Sequence, residues 1–178
     1  MASEKKIEIR LASPKDIVNI GKILEDADQR MLSGHAPVDD VRMYEWILGI
    51  ISRGIVAVAD LSGRVVGAIG ASAYQPGWSR VWVMDVDFFY VLPKFRDARI
   101  DDELLSIVEG WCDRKTADMG LEVPLTLTLT TGDRAAAKDR KMAMRGYQYL
   151  GGQFARRPKD GRQQEEHLDD QERDSGLA

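Results

Sequence analysis

Two carboxylates on one apolar stretch are the side chains best placed to do chemistry. In VWVMDVDFFYV, residues 81–91, Asp85 and Asp87 interrupt a run of β-branched and aromatic residues. A spacing of two on a strand puts both on the same face. Burying a carboxylate among apolar neighbours is costly unless it is paired, and the cost raises its pKa towards the range useful for a general base. The residues alone leave a second reading open, in which the pair lies on a wet face or bonds Arg80 or a lysine. Further along, KFRDARIDDE places Arg96 and Arg99 where they could grip a phosphate, with Asp97, Asp101, Asp102 and Glu103 around them. One carboxylate about 5 Å from a phosphate charge costs about 3 kcal/mol at an effective dielectric near 20, and the two arginines offset part of that.

The elements that must hold these residues are a strand, a short turn and a helix. Strand signals run from Val81 to Val91 and stop at Pro93. Ile100, Leu104, Ile107, Val108 and Trp111 repeat at three- and four-residue spacing, which predicts a helix from about Asp101. Such a joint aims backbone N–H groups and the positive end of the helix at one point, a seat for phosphate. Upstream, Ile7, Ile9 and Leu11 alternate with polar residues as a half-buried strand. Ser13-Pro14-Lys15-Asp16 then opens a helix with Ser13 as its cap. A second helix starts near Asp39, and the joint between the pair carries Asp26, Asp28, Asp39 and Asp40. Ile55 to Ala59 and Val65 to Ala73 flank Asp60-Leu61-Ser62-Gly63, a hairpin signal. Downstream, Gly120 ends the long helix, Pro124 opens a strand of alternating Leu and Thr, and a last helix from Gly132-Asp133 stops near Gly146. A final strand, Tyr147 to Arg157, has Gly151 and Gly152 at a bend.

The stretch YVLPKFRDARIDDELL, Tyr90 to Leu105, resembles the acetyl-CoA-binding strand, loop and helix of the GNAT acetyltransferase superfamily. TTGDRAAAKDRKMAMRGYQYLGGQFARR resembles that superfamily's last helix and "GF" turn, here Gly146 and Tyr147. Arg99, the TTG and the double glycine resemble in particular the small GNATs of tailed bacteriophages. The resemblance implies a mixed α/β fold: a mostly antiparallel central sheet, helices on both faces and a splayed parallel strand pair. It implies acetyl-CoA as cofactor, held by the loop Arg96, Asp97, Ala98, Arg99, Ile100 and Asp101, with the backbone N–H of Val91 on the thioester oxygen. It also implies Asp85 or Asp87 as catalytic base, and a small-molecule or protein amine as acceptor. An acidic helix joint would favour a cationic amine; first-turn carboxylates complementing a helix dipole are the other reading of those residues. The chain departs from the pattern at three points. Arg99 and Asp101 replace the loop's glycines, and Met142, which cannot donate a proton, stands where many members place an acidic Tyr. A GNAT-fold binding or structural subunit, phage-particle associated, is therefore the competing expectation.

Composition bounds both readings. At 178 residues and 44% hydrophobic, the chain suits one domain, expected over 1–157, with an acidic and flexible tail over 158–178. That tail carries three Lys/Arg against seven Asp/Glu, too charged for a core and suited to meeting a homo-oligomer or virion partner. A net charge of −4 argues against general nucleic-acid binding. No apolar run approaches a membrane span, no leader is expected before the first strand, and one cysteine, Cys112, is expected as a small core residue in a reducing cytoplasm. His35 and His167 are too far apart for a metal site or a hydrolase triad, and no metal is expected. Trp78 and Trp82 are the tryptophans expected at the surface.

Overall fold

The computed structural model describes residues 6–31, 38–96, 98–120, 123–127 and 135–148. Contacts divide the chain into a unit spanning Met1–Gly132, which carries the sheet, and a unit spanning Asp133–Ala178. The first unit runs β1 (Ile7–Leu11), α1 (Ile17–Met31), α2 (Asp40–Arg53), β2 (Ile55–Leu61), β3 (Arg64–Tyr74), β4 (Val83–Val91), α3 (Ala98–Met119) and β5 (Leu125–Leu127). The strands lie in sequence order, antiparallel from β1 to β4 and parallel between β4 and β5. Of the expected last strand, Tyr147 and Gln148 are described and lie in no strand, while the rest of it, Gly151, Gly152 and the tail fall outside the described residues.

Alternation along the strands sorts the core into two layers. Val56, Val58, Ala68, Phe88 and Tyr90 pack with Ile20, Ile23, Ile47 and Ile50 of α1 and α2. Met84 packs with Cys112, Val123 and Trp111 on the α3 side. Met84 and Phe88 are an even number of residues apart, yet they serve opposite layers. The reason is a β-bulge: Gly70 pairs with Phe88 and Ala71 with Val86, which leaves Asp87 as the extra residue on β4. Gly70 is required there. A Cβ on it would sit 2.4 Å from the Phe88 ring.

The hairpin forms as its sequence asks, with Ser62 and Gly63 at positive φ and Gly63 N–H donating to Asp60 Oδ1 at 2.6 Å. The start of α1 is tied down more firmly. Pro14–Asp16 forms one 3₁₀ turn, and the Asp16 carboxylate reaches back to Ser13 N–H at 2.8 Å. Arg10 of β1 grips that same carboxylate through both Nη groups, at 2.9 and 2.8 Å, and also donates to Asp60 of β2 at 2.7 Å. One guanidinium thus joins β1, β2 and the root of α1. It holds the Asp16 carboxyl well below the usual carboxylate range.

Because Asp16 is buried and Arg10 is only about one-third exposed, Asp16→Asn is expected to lower stability by about 2 kcal/mol at pH 7. A folded-state pKa below the unfolded value gives stability that is complete above about pH 4 and lost as pH falls from there. Urea unfolding of both proteins at pH 7 and pH 3 checks this; the gap between them should narrow at pH 3.

Candidate active site

Asp85 and Asp87 face the α1/α2 layer together. Ser72, opposite Asp85 in the register, hydrogen-bonds Asp87. Thr126 of β5 donates its hydroxyl proton to Asp85 Oδ1 at 2.7 Å, with the Met84 carbonyl at 3.1 Å as a second acceptor for it. Among the described residues, the parallel pairing of β4 with β5 covers Met84 to Val86, and Asp87, which follows them on β4, is the bulged residue. Its Oδ2 is enclosed and has no hydrogen-bond partner among the described residues. Burial raises its pKa, the Ser72 hydrogen bond opposes that rise, the neighbouring Asp85 charge adds to it, and Arg53 opposes it.

The end of β4 presents a second feature. Leu92 N–H donates to Val66 O at 2.9 Å, which makes Gly67 and Val91 a non-hydrogen-bonded pair. The N–H and C=O of Val91 therefore point away from β3, towards the side on which β5 pairs. The carbonyl is met by Arg96 Nε at 3.1 Å, and the Arg96 guanidinium lies 5.3 Å from the centre of the Tyr90 ring. Tyr90 donates its hydroxyl to Asp26 of α1 at 2.8 Å.

The joint after β4 differs from its expected form. A 3₁₀ turn, Pro93–Phe95, precedes α3, and the helix begins at Ala98, three residues before the expected Asp101. Arg99, Ile100 and Asp101 therefore lie in its first turn. Among the described residues, Ser62 is the one non-glycine with positive φ, so positions 99 and 101 ask nothing that only glycine can supply. Ile100 is 7% exposed and turns into the core, which leaves its backbone alone to face a ligand. Arg99 extends outward with Glu103 at 3.9 Å. Asp97 lies outside the described residues.

Between the C-terminal half of α1 and the start of α2 is a cavity of about 420 Å3 lined by Leu24, Glu25, Asp28, Val38, Asp39, Arg42, Met43 and Trp46. Three carboxylates face one guanidinium across it. Of the four acids expected at the joint, Asp28 and Asp39 line the cavity, and Asp39 also caps α2 by accepting from Arg42 N–H at 3.1 Å. Asp26 turns inward to Tyr90, and Asp40 sits in the first turn of α2. Trp46, 44% exposed, stacks edge-to-face on Phe88 with ring centres 5.6 Å apart. The cavity wall thus touches the residue that follows Asp87.

Sequence reasoning missed Glu25, Trp46, Ser72 and Thr126. Gly70 within a long strand was the available signal for the bulge.

No protein-family model and no curated protein sequence matches this chain. Solved structures do. A predicted acetyltransferase from Clostridium acetobutylicum with acetyl-CoA matches with a TM-score of 0.63 at 13% identity, over 85% of this chain and 96% of that one. The fold is the GNAT fold. The aminoglycoside N-acetyltransferase AAC(6')-Iy in complex with CoA matches with a TM-score of 0.60 at 16% identity, over 90% of this chain and 99% of that one. An aminoglycoside acetyltransferase from an uncultured soil metagenomic sample, in complex with sisomicin, gives 0.59 at 13% over 86% and 97%. In the second unit, α4 (Ala135–Met144) ends as expected, with Gly146 at positive φ and Met142 partly buried.

Asp87→Asn should melt higher than the wild type at pH 8, where the wild-type carboxyl must ionise in its enclosed place. The sign follows from a folded pKa above the unfolded one: the cost is absent below about pH 4 and appears as pH rises. Thermal melts at pH 8 and pH 4 check it, and a gap of equal size at both would refute the assignment.

Proposed function

We propose that this chain is an acetyl-CoA-dependent N-acetyltransferase that acts on a cationic primary amine by direct transfer. The observation that carries this reading is Asp87, a half-buried carboxyl of raised pKa at a β-bulge, with one enclosed oxygen that has no hydrogen-bond partner among the described residues. A base must remove a proton from an ammonium before the amine can attack, and a carboxyl moved towards neutral pH does this best. Asp85, fixed by Thr126, keeps a second negative charge close by and favours the ammonium's approach.

The residues after β4 fit the cofactor. The first-turn N–H groups of α3 are donors that the helix itself leaves over. Among the described residues nothing hydrogen-bonds the two Nη groups of Arg96, so they would hold pyrophosphate together with Arg99. When bound, acetyl-CoA supplies the acetyl thioester. Val91 N–H points to the β5 side and would donate to the thioester oxygen as charge develops there. Glu25, Asp28 and Asp39 attract a cation to the cavity, and Trp46 gives it an aromatic wall. The acetyl-CoA and aminoglycoside complexes among proteins of the same fold agree with this reading.

Calorimetric titration with acetyl-CoA, followed by measurement of CoA release with spermidine and with sisomicin as acceptors, tests the proposal. Micromolar acetyl-CoA affinity and turnover are expected for the wild type. Asp87→Asn should lower kcat about 100-fold while leaving acetyl-CoA affinity unchanged. The wild-type kcat/KM should show an acid limb above the ordinary carboxylate range, and the variant should lack it. A wild type that does not bind acetyl-CoA would sink the reading.

A further inference from the structure

The contacts of Tyr90 join the two halves of the site, and neither half explains them alone. Its ring is 4% exposed and belongs to the core shared with α1 and α2. The ring is covered by the Arg96 guanidinium at 5.3 Å, while Arg96 Nε is fixed by the Val91 carbonyl at 3.1 Å. At its far end the hydroxyl donates to Asp26 Oδ2 at 2.8 Å. Asp26 lies between two cavity-lining residues of α1, Glu25 before it and Asp28 after it, with Leu24 completing that wall. One turn of α1 thus presents Asp26 to the sheet and its neighbours to the cavity. The hydrogen bond to Tyr90 fixes where along the sheet that turn sits.

We infer that Tyr90 is a positioning residue for the acceptor: by holding Asp26 it sets the placement of Glu25 and Asp28 around a bound cationic amine. The inference rests on the reading of the cavity as the acceptor site. Loss of one hydroxyl leaves the aromatic ring, its stacking with Arg96 and the α1/α2 core in place. What changes is the freedom of one helical turn, which loosens the aim of two carboxylates at a ligand whose attraction depends steeply on distance.

The test uses full-length protein and calorimetric titration with two probes, spermidine and acetyl-CoA. Tyr90→Phe should weaken spermidine binding at least fivefold and change acetyl-CoA binding by less than twofold. In turnover the KM for spermidine should rise with little change in kcat. Asp26→Asn separates positioning from simple charge, because its side-chain oxygen still accepts from the Tyr90 hydroxyl; spermidine binding should suffer less in it than in Tyr90→Phe. Equal losses for both probes, no loss for either, or a larger loss in Asp26→Asn would overturn the role of Tyr90. Wild-type protein that binds acetyl-CoA but not spermidine would overturn it too, by removing the cavity from the acceptor site. Spermidine binding with no acetyl-CoA binding would instead overturn the transferase reading and leave the role of Tyr90 in place, provided Tyr90→Phe still weakens spermidine.

Discussion

The extra residue in β4 is the constraint on which the site depends. A regular strand would send Met84, Val86, Phe88 and Tyr90 all to one layer. With Asp87 inserted against the Gly70–Ala71 step, Met84 serves the α3 layer while Phe88 and Tyr90 serve α1 and α2. The same insertion keeps Asp87 on the side of Asp85, beside Ser72. Core packing and the placement of the two carboxylates therefore have one cause. Gly70 is its counterpart on β3, because the Phe88 ring occupies the space a side chain would need.

The two ends of β4 carry different chemistry because the strand's backbone faces different partners. At Met84 to Val86 the outer edge is taken by β5, and Thr126 serves Asp85 from there. At Val91 the register turns the peptide groups outward, and Arg96 folds back to take the carbonyl. The N–H on that same side lies next to the arginine that would hold an anion. Position along one strand thus separates the carboxylates from the outward-facing peptide groups.

Much of the fold was legible in the sequence, and the reasons are local. Alternation in β1 and β4, the Ser13-Pro14 start of α1, the Ser62-Gly63 turn and Gly120 after α3 each encode their element within a few residues. The resemblance of Tyr90 to Leu105 to an acetyl-CoA loop pointed to the fold that the solved structures bear out. The parts that were not legible need partners distant in sequence. Glu25 and Trp46 meet only when two helices pack, and Thr126 reaches Asp85 only when β5 pairs with β4. At positions 99 and 101, where the resembled pattern has glycines, α3 has already begun at Ala98 and holds both residues in a helix, a start the sequence pattern placed three residues later.

Arg10 carries a further meaning once chain order is considered. Its contacts join residue 10 to Asp16 and, fifty residues later, to Asp60. The loop so closed contains both α1 and α2, the two walls of the cavity. Closing a loop of that length has an entropic cost that must be met before its long-range contacts form. The helices cannot settle as separate pieces, because the strand that precedes them and the strand that follows them are locked by the same guanidinium. The cavity walls consequently rise and fall as one cooperative unit, and a local opening of β1 would loosen both of them while β3, β4 and α3 stay paired.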